Sequence, residues 1–201
     1  MTICAFTADS PPPYGTTYGR WTIEWWRWAL AIPKSKNPIL DRTGEYAGQN
    51  QPCKDVWYLA GKLPNKDINP PSRSCRIPAG RSILFPVINY EANPLELPEL
   101  RTDQDIIEHV KKGEDSIVKK ECHVDGKLIP AQRIESDPTI FELKMVEHNL
   151  FNEEGGSTRA SADGYWVFLK PLPKGEHTIS FHGSCEKGRL ISGAVYYLQV
   201  C

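Results

Sequence analysis

The 201-residue chain has no run of eighteen apolar residues, so no segment reads as a membrane-spanning helix. Residues 1 to 14 lack a charged n-region followed by an apolar stretch, so no export signal is expected in the chain as written. The six cysteines, at 4, 53, 75, 122, 185 and 201, include no CxxC pair, and no close Cys/His spacing matches a zinc site, so neither a metal nor another cofactor is expected. GxSxG, HExxH, GxGxxG, Walker-type and EF-hand patterns are missing too. That removes the commonest hydrolase, metalloprotease, dinucleotide and nucleotide readings and leaves enzymes without a local motif. Clustered Lys/Arg is also lacking, and a pI near 6.5 excludes the basic footprint of a nucleic-acid partner.

What is present points to one turn-rich domain. A chain of this length buries roughly 70% of its unfolded surface, so a core forms without disulfide or metal staples. Seventeen prolines and fifteen glycines exceed average usage yet fall short of a disordered composition. The net charge of -1 combines a basic first part, with 11 basic and 6 acidic side chains over residues 1–89, and a middle with 8 and 16 over residues 90–158. This division suggests internal charge matching.

Residues 1–15, with Pro11-Pro12-Pro13 and Gly15, predict an extended arm in polyproline-like geometry, outside the packed domain of residues 16–201. Thr16 or Thr17 can then cap a helix. Trp21, Trp25, Trp28, Ala29 and Ile32 recur at one helical face, Glu24 can pair with Arg20 and Arg27, and Pro33 ends the run. Short apolar runs cut by Pro and Gly follow: 56–60, 82–90, 139–145, 165–170, 177–182 and 194–200 are each about one strand long. Asp125-Gly126 is a type I′ hairpin signal, and Pro86 implies an edge or a bulge. Between the strands, Asp103 to Lys112 predicts an inserted helix, with a strand starting near Ser116. The simplest architecture is mainly β: a single sandwich, jelly-roll or Ig-like, with a Trp-rich N-terminal helix and one inserted helix.

Each residue that could carry chemistry has a structural alternative. Trp21, Trp25 and Trp28 suit packing on the sheet, whereas Trp26, off that stripe, is the better ligand contact, alongside Trp57. His177 shares strand parity with Ile179 and Phe181 and would point inward, as a general base or as a hydrogen-bonded structural histidine. Glu91 and Asn89 follow an apolar strand. Asp163 precedes Gly164, a catalytic carboxylate or a turn pair. Cys53 and Cys75 are the candidate disulfide, since the Pro-rich loop 64–71 lets its flanks return to each other. A bridge would imply an oxidising compartment and free thiols the cytosol.

Three segments carry a resemblance: Tyr18-Gly19-Arg20-Trp21 with residues 25–33, Cys75-Arg76-Ile77-Pro78-Ala79-Gly80 running into 83–89, and Asp163-Gly164-Tyr165-Trp166 leading to 170–179. Together they resemble an uncharacterised family of small, often exported, microbial β-rich proteins. The resemblance implies an envelope or extracellular setting, so the chain is expected to be either a mature exported form or a cytoplasmic member. The family lends no activity.

Two functional expectations follow. One is a binding or structural module that takes a small molecule or glycan through Trp26, Trp57, Asn89 and Glu91. The other is a lyase, isomerase or hydrolase in which His177 works with Glu91 or Asp163. Self-association through an exposed 194–200 edge next to Cys201 is a further expectation.

Overall fold

Trp-rich sequence at helical spacing forms the first α-helix of the computed structural model, which describes residues 3–7, 10–151, 154–185 and 191–201. In α1 (Tyr18–Leu30), Thr17 Oγ1 caps the N-terminus by accepting from the Arg20 N–H, and Glu24 pairs with Arg20 and Arg27 at 3.0 Å each. All four of its tryptophans are buried, Trp26 included. Three indole N–H groups reach carbonyls: Trp21 to Pro13, Trp25 to Leu59 and Trp28 to Gln49.

The strands are β1 (Val56–Tyr58), β2 (Ser72–Ile77), β3 (Ser82–Ala92), β4 (Ile117–Val124), β5 (Lys127–Leu128), β6 (Gln132–Arg133), β7 (Phe141–Met145), β8 (Gly156–Leu169), β9 (Gly175–Cys185) and β10 (Ile191–Val200), with α2 (Asp103–Asp115) between β3 and β4. They make two mixed sheets, neither closed into a barrel. The first runs β1-β3-β8-β6 with β7 also on β8; the second runs β2-β10-β9-β4-β5. The β1–β3 and β2–β10 pairs are parallel. One core joins α1 to a face of the first sheet through Leu84, Ala162, Trp166 and Phe168. A second core takes Phe85, Val87 and Val167 from the first sheet together with Ile179, Phe181 and Tyr196 from the second.

The hairpin at Asp125-Gly126 has positive φ at both residues, as a type I′ turn requires. Pro86 sits at a bulge, where the β3–β8 register shifts between Pro86 and Ile88. The capping box of Thr102 and Asp105 starts α2, which continues through Gly113 to Asp115. A Cβ at 113 would lie 2.7 Å from Tyr90 Cδ1, so glycine lets the helix close over that ring.

Several expectations need correction. Part of the arm is docked on the sheet: Ala5 bridges Leu169, the Phe6 N–H donates to Phe168 O, and the Phe6 ring lies 5.1 Å from that of Phe168. Residues 1, 2, 8 and 9 of the arm lie outside the described residues. The 194–200 segment is not an edge, because β10 is paired on both sides, by β2 and by β9. Cys53 and Cys75 form no disulfide, nor do the other four cysteines. The first packs against the α1 core and the second against the core between the sheets. Among the described residues no helix is long and apolar enough to cross a membrane.

The polar segment Ser72–Ile77 gave no strand signal, yet it forms β2 around a buried cation. Arg73, 1% exposed, donates to the carbonyls of Asp41, Ala60 and Ile39 and to Tyr196 Oη. Shortening it to methionine strands those acceptors. Arg73→Met is expected to lower unfolding free energy by about 3 kcal/mol, read from urea denaturation.

Candidate functional site

Beyond Leu84, β3 leaves β1 behind and continues with β8 alone on that stretch: Asn89 pairs Gly164, Tyr90 pairs Asp163, and Glu91 pairs Ala162. Alternation along a strand sends these pairs to opposite faces. Asn89, Glu91 and Ala162 face the α1 side with Trp166; Tyr90 and Asp163 face α2. Asp163-Gly164 therefore lies inside a strand and forms no turn.

On the α1 side, two side chains close over Gly164. A Cβ there would lie 2.6 Å from Asn89 Cβ and 2.7 Å from Trp166 Nε1. Asn89 Nδ2 and Trp166 Nε1 are shielded from solvent and have no hydrogen-bond partner. Glu91 Oε1 accepts from Asn93 Nδ2 at 3.0 Å, while Oε2 is shielded and unpartnered. Burial, and then the nearby Glu96 carboxyl, push the Glu91 acid up to about 8 against the Asn93 hydrogen bond. Glu91 is thus a neutral acid near pH 7, able to donate as well as accept. Trp26 Nε1 is another buried donor without a partner. The Trp25 ring sits 5.0 Å from that of Trp26 and 5.5 Å from that of Trp166. Buried polar atoms in native structures are nearly always paired, so this group of exceptions makes the face a candidate site.

On the α2 side, Arg133 holds Asp163 Oδ2 through Nε at 2.9 Å and Nη2 at 2.6 Å, and reaches Asp115 Oδ1 through Nη1 at 2.7 Å. Asp163 Oδ1 accepts from the Gly164 N–H. These bonds occupy Asp163 with holding β6, β8 and the end of α2 together. A hollow of about 140 Å³ beside it is lined by Ile107, Val110, Glu135 and Ser161 among others. Tyr90 Oη lies 2.8 Å from Cys185 Sγ.

The remaining candidates lie elsewhere. His177 Nδ1 meets Asp125 Oδ2 at 2.7 Å and Nε2 meets Pro173 O at 2.9 Å, which ties the β4–β5 hairpin to β9. It meets neither Glu91 nor Asp163, and those two face opposite sides of the sheet, so the three do not converge. Trp57 is buried in the core between the sheets, with the Arg81 guanidinium 5.4 Å from its ring centroid. Trp26 is likewise in the interior and offers no open stacking face. Among the described residues no group of three or more His, Cys, Asp or Glu is placed to hold a metal ion. A groove of about 1040 Å³, bounded by Arg27, Pro94, Glu142, Lys144 and Arg159, contains none of the candidate residues. Its two arginines are engaged, Arg27 with Glu24 and the Glu142 carbonyl and Arg159 with Asp103. The buried unpartnered atoms over Gly164 are the better guide to chemistry.

Compared with models of known families, with curated proteins and with solved structures, the chain matches none. The site therefore rests on its own geometry. Gly164→Ala would force Asn89 and Trp166 apart; it is expected to cost about 1–3 kcal/mol in unfolding free energy, measured by urea denaturation, with Asn89 displaced in a crystal structure of the variant.

Proposed function

We propose that the protein is a binding module for a small, uncharged, hydroxyl-rich molecule, a sugar or polyol, held at the half-buried end of β3 by Asn89 and Glu91. The two sheets serve as the layers of one sandwich, and the chain takes its place with the exported microbial proteins whose segments it resembles. The observation that carries the reading is the convergence of two unpartnered N–H donors, Asn89 Nδ2 and Trp166 Nε1, beside the Glu91 acid. A hydroxyl both accepts and donates, so successive hydroxyls match an amide N–H, an indole N–H and a neutral carboxyl without bringing charge into the site. A cation would need Glu91 ionised, which burial opposes. An anion would meet the Glu91 and Glu96 carboxyls. Trp57 has no part in this site, since it belongs to the other core. The acid–base alternative loses support because His177 is engaged by Asp125 and Pro173.

Titration calorimetry against a panel of monosaccharides, disaccharides and polyols tests the proposal. At least one member is expected to bind, with affinity falling tenfold or more in both Asn89→Leu and Glu91→Leu and unchanged in the distant surface variant Lys127→Ala. Absence of binding across the panel, or binding indifferent to both site variants, would overturn it.

A further inference from the structure

The α2 face of the same strand pair holds a second buried acid. Ile106, Val110 and Glu114 follow one another at four-residue spacing along the face of α2 that packs on β3 and β8. Glu114 is 1% exposed, and neither carboxyl oxygen has a hydrogen-bond partner among the described residues. The charged and titratable groups around it are Asp163 on β8, Arg133 on β6, Lys120 on β4, Tyr90 on β3 with its partner Cys185 on β9, and Asp115 on its own helix. Arg133 is already committed to Asp163 and Asp115, and the Lys120 ammonium sits 4.1 Å from the centroid of the Tyr165 ring.

An ionised Glu114 would have no hydrogen bond in the docked helix. It would also face the Asp163 carboxylate and the negative end of the helix dipole. Burial and then Asp163 push its acid up to about 9, against the pull of Arg133 and Lys120. Gly113, flush on the Tyr90 ring, leaves the last turn no slack to move the carboxylate toward water while docked.

We infer that Glu114 is a proton-operated latch for the last turn of α2: the neutral acid seats the turn over Tyr90 and Asp163, and the carboxylate releases it. Release uncovers the Tyr90–Cys185 pair and opens the hollow beside Asp163. In the released turn Glu114 regains its ordinary value of 4.5. Between about 4.5 and 9 the docked state therefore binds more protons than the released one, so docking weakens as pH rises through that window and levels off above it. One proton sets the limit at tenfold in the opening constant per pH unit.

Hydrogen exchange of peptides covering residues 103–117, corrected for intrinsic rates, reads this directly on the full chain at pH 5 to 9. The opening constant is expected to climb by up to tenfold per pH unit in the wild type and to stay flat in Glu114→Gln and in the second neutral variant Glu114→Met. Iodoacetamide labelling of Cys185, expressed as the wild-type to Glu114→Gln ratio at each pH so that thiol ionisation cancels, is expected to rise over the same window. Equal pH slopes in wild type and both variants, or a labelling ratio that stays at one, would overturn the latch.

Discussion

The ladder between β3 and β8 is the contact on which the rest of the molecule depends. It supplies the floor under α1, the wall of the core between the sheets and the docking surface of α2. Because the bulge after Pro86 resets the register, residues 88 to 92 of β3 change phase relative to 83 to 87. That shift lets Phe85 and Val87 fill the core between the sheets and then turns Asn89 and Glu91 toward α1, with Tyr90 toward α2. Losing the bulge would turn the Glu91 carboxyl toward α2, where Ala92 now packs, and bring the apolar Ile88 over Gly164.

The molecule buries polar groups in two distinct ways. Arg73 and Asp41 are enclosed but well bonded: Arg73 by three carbonyls and a phenol, Asp41 by the N–H groups of Thr43 and Tyr46. Such groups organise the loops that cover the second sheet and have nothing left to offer a ligand. Glu91 and Glu114 are enclosed with oxygens left over. Satisfied burial thus sets Arg73 and Asp41 apart from Glu91 and Glu114 more sharply than residue type or groove size does.

Much of the scaffold was legible in the residues. Tryptophans at helical spacing, Thr17 before them and Pro33 after them define α1, and Asp125-Gly126 defines the β4–β5 hairpin, because these signals act over a few residues and tertiary contacts only reinforce them. β2 was not legible: Ser-Arg-Ser-Cys-Arg-Ile has no apolar alternation until one knows that carbonyls from distant loops receive Arg73. The site was half legible. Asn89, Glu91 and Asp163 attract notice at the end of an apolar strand and before aromatic residues, but which face each one serves depends on a register shift that no local pattern announces. Trp26 and Trp57 looked like stacking residues because composition cannot tell an aromatic that meets a ligand from one that meets another ring. Glu114 did leave a signal, standing where the third apolar residue of the Ile106, Val110 series belongs.

The outer edge of β8 is covered in pieces: residues 4–6 near its C-terminal end, then β6, then β7 toward its N-terminal end. The first of these pieces leaves the ribosome well before its docking partners, residues 168–170. Folding of the first sheet must therefore wait for β8, since β3 too has no antiparallel partner until that strand emerges. Local helix and hairpin formation can proceed earlier, but the nascent chain carries its aromatic helix and the apolar face of β3 uncovered until then. Synthesis, more than the finished fold, is the stage at which this protein is most exposed to aggregation.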